Sequence, residues 1–267
     1  MNNPLELVGC QKISGSISTF TANPNEKAME YLIILMIMFV AACLQGISGF
    51  GSGLIAVPLL VLWLPLSTLT PLLSVVNLAM ALYLGWLLRH AIAWRQWPWL
   101  LGCGVLGSLA GQYLLAAINL QLLQQIMAGG VILVALLFWF NLRWQSNGAA
   151  WQQILAGTIG GFSNGALTLG GPPVVLFLTS YGLARVSFRA TLTLFFLLLA
   201  LTNVIGFSWQ QRYQLEQWPI LFCLLAGAVS GSWLGHRISS RLSESLFRKL
   251  SLVIVMIAGV VAFWGAF

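Results

Sequence analysis

Eight apolar runs of membrane-spanning length lie along the chain, at 30–48, 70–88, 97–116, 122–141, 151–168, 188–208, 217–235 and 247–266. A helix needs about 20 apolar residues to cross the hydrocarbon core, so each run predicts a transmembrane helix. Two shorter apolar pieces, 54–65 and 172–183, each follow a glycine-rich break. Residues 1–28 are polar and mixed, contain no apolar stretch of the signal-peptide kind, and read as a disordered leader. The fold class expected is an all-α polytopic membrane protein. Its first repeat covers 29–145 and its second 150–267, and the two form one membrane domain.

Composition removes the alternatives. Only 6% of the 267 residues are charged and 59% are hydrophobic, whereas a soluble domain carries about 25% charged residues. Twelve Lys and Arg face five acids, all of them Glu, for a formal charge of +7. In a soluble protein that balance would point to nucleic acid. Here the basic residues are scattered between apolar runs and act as loop charges that set membrane orientation. Cys10, Cys43, Cys103 and Cys223 form no C-x-x-C and no Cys/His cluster. Neither a disulfide framework nor a metal site is expected, and no cofactor.

Those loop charges decide whether the short pieces turn back. If both do, Arg89, Arg95, Arg143, Arg185, Arg189, Arg237, Arg241, Arg248 and Lys249 share one side, against Lys12, Lys27 and Arg212 on the other. If both run on, the split is six against six and the bias vanishes. Cytoplasmic loops carry the Lys/Arg excess. The asymmetry therefore selects ten elements, basic loops in the cytoplasm and both termini outside.

Internal spacing points to a duplication. Gln96-Trp97-Pro98 recurs as Gln217-Trp218-Pro219 at an offset of 121, and Gly107-x-x-x-Gly111 recurs as Gly227-x-x-x-Gly231 at 120. Phe50-Gly51-Ser52 recurs loosely as Leu169-Gly170-Gly171 at 119. Five elements per half is an odd number, so the second half is expected to be inverted, as in secondary transporters. Trp97 and Trp218 read as interfacial belt residues, and Pro98 and Pro219 suit a first helical turn. Asn77 and Asn203, uncharged polar residues within spans, read as interhelical glue.

The breaks carry the candidate chemistry. One reads Gln45-Gly46-Ile47-Ser48-Gly49-Phe50-Gly51-Ser52-Gly53, and the other runs from Gly160 to Pro173. Glycine at this density unwinds a helix, at about 1 kcal/mol per residue relative to Ala. The freed backbone groups are tolerated in a bilayer only against protein or a water-filled cavity. Each break is thus expected to open a re-entrant hairpin whose short helix starts near Leu54 or Pro172, with the two tips converging near the midplane. Helix N-termini present unpaired N–H groups and the positive dipole end, which suits an anion. The candidate binding residues are Ser48, Gly49, Gly51, Ser52, Gly53, Asn164, Thr168, Gly170 and Gly171, with Arg185 and Arg189 as an anion entrance. No Asp exists and no Glu lies well inside a span, so intramembrane carboxylate relays are absent from the sequence.

These same residues resemble a known family. Gly46-x-x-Gly49-Phe50-Gly51-Ser52-Gly53-x-x-x-Val57-Pro58-Leu59-Leu60 is similar to the first glycine signature of the sulfite exporter TauE/SafE family. Gly165-x-x-x-x-Gly170-Gly171-Pro172-Pro173, followed by Arg189-Ala190-Thr191, is similar to the second, with departures at Ser52 and Pro173. The resemblance runs over residues 30–266 and implies a bacterial inner-membrane transporter of sulfite, organosulfonates or related small anions. Export by alternating access is the function expected. Its partners are the anion, the lipid bilayer and a further copy of the chain, not nucleic acid. An importer of sulfide or thiosulfate with Cys43 as a contact is the rival. A membrane enzyme is disfavoured because His90 and His236 fall in loops without carboxylate or Cys neighbours.

Overall fold

The structure, a computed structural model, describes residues 24–117 and 146–238, with the single positions 122, 125 and 129. The expected spans 122–141 and 247–266 and most of the leader lie outside the described residues. Among the described residues every regular element is helical. In chain order these are α1 (Pro24–Ser48), α2 (Ser52–Leu60), α3 (Leu66–Leu88), α4 (Pro98–Ala117), α5 (Ala150–Leu167), α6 (Gly171–Tyr181), α7 (Arg185–Trp209) and α8 (Trp218–Ile238). Helix α1 takes in the last residues assigned to the leader, starting at Pro24, a residue that suits a first helical position. Pro98 likewise opens α4.

Five of the described helices are long and apolar enough to cross a membrane: α1, α3, α4, α7 and α8. Helix α5 was expected to span as well, but it carries Gln152, Gln153, Ser163 and Asn164 and is not among them. The outer faces are apolar, with Leu106, Tyr113, Trp86 and Phe222 all exposed. Contiguous apolar surface on this scale marks contact with lipid or another protein.

Close contacts fix the helix directions. Gly227, Gly231 and Gly235 of α8 sit on the carbonyls of Leu35, Phe39 and Cys43 of α1, so these two helices run parallel. Gly157, Gly161 and Gly165 of α5 sit in the same way on Leu100, Gly104 and Ser108 of α4. Helix α7 runs with α4, since Gly104 meets Phe195 and Gln112 reaches Asn203. It runs against α3, since Gly85 faces Thr193 while Ser74 meets Tyr213 at 2.9 Å. Gly46 and His236, near the ends of α1 and α8, meet Arg189 near the start of α7. Thus α1, α3 and α8 run one way and α4, α5 and α7 the other.

Packing pairs off between the halves. Helix α4 packs along α5 and α8 along α1, α3 packs on α7, and each short helix packs on the helix before it. The carbonyls of Thr158 and Phe162 lie under Gly107 and Gly111, those of Phe39 and Cys43 under Gly231 and Gly235. These carbonyls stand 119 positions apart and the glycines 124. Gly231 and Gly235 therefore occupy the place that the sequence offset of 120 gave to Gly227 and Gly231. One helical turn separates the two registers.

The α4/α5 contact is made backbone to backbone. A β-carbon on Gly161 would collide with the Gly104 carbonyl, whereas Gly102 on the far face has open space. Gly161→Leu is expected to cost about 3 kcal/mol through overpacking, read as a lower thermal midpoint of the purified protein. Gly102→Leu should leave the midpoint unchanged. Equal midpoints for the two variants would show that this contact does not support the fold.

Candidate functional site

Each short helix begins after a left-handed turn. Gly49 N–H donates to the Gln45 carbonyl at 2.7 Å to close α1, and its φ of 88° needs glycine. Gly51, at φ 106°, then leads into α2. In the second half Thr168 N–H donates to the Asn164 carbonyl at 2.9 Å and Leu169 N–H to that of Ser163 at 3.2 Å. Thr168 holds φ 56°, a strained geometry for a β-branched residue. Gly49 and Thr168, both left-handed, stand 119 positions apart.

Helix α6 doubles back along α5. Gly160 lies against Val174, the Tyr181 ring packs on Gly148, and Ser146 N–H reaches the Ser180 carbonyl at 3.4 Å. Both ends of this hairpin therefore lie at one level, beside the start of α4. Trp97 is wedged there at 2% exposure, edge-on to Phe177 at 5.6 Å and to Tyr181 at 5.2 Å. This corrects its reading as a belt residue, since α6 returns over it. Trp218 is exposed.

The hairpin tips meet. Gly53 lies so close to the Thr168 carbonyl that a β-carbon there would collide, and Gly171 packs beside Phe50. Between them is a cavity lined by Gln45, Gly51, Ser52, Gly53, Leu54, Asn77, Asn164, Thr168, Leu169, Gly171 and Phe196. It has about 20 Å³ for water-sized occupants, room for one water. No lining side chain is ionisable. In the first turns Ser52, Gly53 and Leu54 of α2 and Gly171 of α6 carry N–H groups without intrahelical acceptors, at positive dipole ends, while Pro172 and Pro173 have no N–H to offer. Gln45, Ser52, Asn164 and Thr168 are all buried there.

Of the residues singled out from sequence, Gly51, Ser52, Gly53, Asn164, Thr168 and Gly171 line this cavity. Ser48, Gly49 and Gly170 do not. The Ser48 hydroxyl is engaged locally, 2.9 Å from the Leu44 carbonyl and 2.6 Å from that of Phe50, and accepts from Phe50 N–H at 3.2 Å. Gly49 packs on Arg189, and Gly170 on Gly160 and Asn164. Cys43 is absent from the lining, its carbonyl lying under Gly235. Gln45, Asn77 and Phe196 were not singled out as lining. Asn77 Oδ1 accepts from the Ser52 hydroxyl at 3.3 Å, so it ties α2 to α3 as well as facing the cavity. Gln45 stands 119 positions before Asn164, a match the repeat offset contained.

Arg185 opens α7. Arg189 is buried at 8% exposure and is no surface collector of anions. Its Nη2 donates to the Gly46 carbonyl at 2.7 Å and lies 3.4 Å from His236 Nδ1, which sits in the last turn of α8 and not in a loop. The guanidinium thus caps the carbonyl end of α1, where a cation is favoured.

These features define a multi-pass helical membrane protein with an uncharged polar cavity between two broken-helix tips. The family model described as Sulfite exporter TauE/SafE matches residues 34–262. The chain belongs to that family of membrane transporters. No curated protein and no solved structure matches it.

Arg189→Met is expected to lower the thermal midpoint, since a charge-assisted hydrogen bond of about 2 kcal/mol is lost. Unchanged stability together with altered salt dependence of transport would return Arg189 to an entrance role.

Proposed function

We propose that the protein is a secondary transporter that moves a small sulfur oxyanion, sulfite or an organosulfonate, outward across a bacterial inner membrane. The observation that carries this reading is the cavity itself. Two helix N-termini and four buried polar side chains converge on it, and no lining side chain is ionisable. Fixed dipoles and neutral donors match a compact anion with several acceptor oxygens.

The halves act as inverted repeats in this account. Support comes from the opposite directions of α1 and α5, α3 and α7, and α4 and α8, and from the paired packing between halves. The hairpins are re-entrant, one from each face of the bilayer. Among the described residues Arg89, Arg95, Arg185, Arg189 and Arg237 fall at the end where α3 finishes and α4, α5 and α7 begin. Lys27 and Arg212 fall at the other. That end is cytoplasmic by the positive-inside rule, which leaves the termini outside.

With room for one water, the cavity is closed to a sulfite ion. The hairpin tips must part, toward one face and then the other, for the anion to enter and leave. That is alternating access around a fixed site.

Flux of labelled sulfite and organosulfonates into proteoliposomes tests the reading. Wild type should exceed the protein-free leak, and Asn164→Ala should raise the apparent KM about tenfold, the loss of one hydrogen bond to a charged group. Wild-type flux at the leak for every anion would overturn it.

A further inference from the structure

Among the described residues Asn164 is the carboxamide of the cavity whose orientation is dictated from outside it. Its Oδ1 accepts from Asn203 Nδ2 at 2.9 Å, and both side chains are buried. Asn203 cannot turn over freely, because its own Oδ1 already accepts from the Ser108 hydroxyl at 2.5 Å and from Gln112 Nε2 at 2.8 Å. Gln112, at 1% exposure, is anchored in turn by the backbone, since Nε2 also approaches the Thr202 carbonyl at 3.5 Å.

A carbonyl only accepts, so the amide nitrogen of Gln112 must face it. Turning Gln112 over would set Oε1 against that carbonyl, acceptor to acceptor. The present orientation even leaves Gln112 Oε1 without a hydrogen-bond partner among the described residues. A buried acceptor left unpaired costs free energy, yet a reversed amide would leave the carbonyl contact repulsive as well. From the Thr202 carbonyl onward each amide therefore has one orientation: Gln112 donates to Asn203, and Asn203 donates to Asn164.

The chain ends with a donor. With Oδ1 committed, Asn164 is left with Nδ2, which lies beside Gly170 at the entry to α6. No acceptor among the described residues meets it. We infer that Gln112 and Asn203 are positioning residues, which hold Asn164 with its N–H groups turned into the cavity and so make that wall selective for acceptor-only ligands such as the oxygens of a sulfite or sulfonate group. The inference rests on the anion-transport reading above and supplies a source for its charge selectivity. Neither residue lines the cavity.

The test is a double-mutant cycle on apparent KM for sulfite in proteoliposomes, with kcat followed separately. Asn203→Leu should raise KM about fivefold with kcat within about twofold, because Asn164 is then free to present its oxygen. In the Asn164→Ala background the same substitution should change KM by less than about twofold, since its effect runs through that amide. Gln112→Met, which removes the anchor and keeps the volume, should show the same pattern if the Asn203 variant does not fold. Wild-type transport with KM unmoved by both variants would overturn this inference and leave the transport reading intact. Effects that multiply in the Asn164→Ala background would overturn it too, as a general structural role. Absence of wild-type flux would remove the reading on which it rests, and the inference with it.

Discussion

Backbone N–H and C=O groups released where a helix breaks have no water to turn to inside a bilayer. The chain breaks a helix twice, at 49–51 and 168–170, and the rest of the structure is arranged around satisfying those groups. On the carbonyl side both halves first close alike, Gly49 N–H onto Gln45 and Thr168 N–H onto Asn164, and then differ. Arg189 reaches across to the Gly46 carbonyl in the first. In the second, Leu169 N–H closes the end of α5 onto Ser163. On the N–H side the first turn of α2 and Gly171 of α6 border the cavity, and the two prolines after Gly171 leave no N–H there to satisfy.

Bringing two such breaks together demands that long helices approach closely, and glycine makes this achievable. The α4/α5 and α1/α8 contacts are built from carbonyls seated under glycines. In lipid, where apolar side chains gain little by leaving their surroundings, dispersion and close backbone contact replace the hydrophobic drive. Each contact joins one half to the other. The polar chain from Gln112 through Asn203 to Asn164 crosses α4, α7 and α5, so the orientation of one cavity amide depends on two side chains that do not line the cavity.

Much of this was legible in the residues. Apolar run lengths located α1, α3, α4, α7 and α8 within a few residues, and the density of glycine located both breaks. Six of the nine residues proposed from the breaks share one cavity. What escaped was whatever tertiary packing decides. Trp97 looked like a belt residue because nothing local shows α6 folding back over it. Arg189 looked like a loop charge because its acceptor, the Gly46 carbonyl, is 143 positions away. The repeat register of α8 was misplaced by one turn because three glycines at spacing four align equally well either way. Asn77 was passed over because an uncharged amide in a span reads as glue until its neighbours are known.

Selenite, the heavier analogue of sulfite with the same pyramidal oxygens, gives the most direct view of where an anion rests. Crystals of the protein grown with selenite should show an anomalous peak between Ser52 on α2 and Gly171 on α6, within hydrogen-bonding reach of Asn164. A peak elsewhere, or none in protein that transports the ion, would contradict an anion site built from these two helix N-termini.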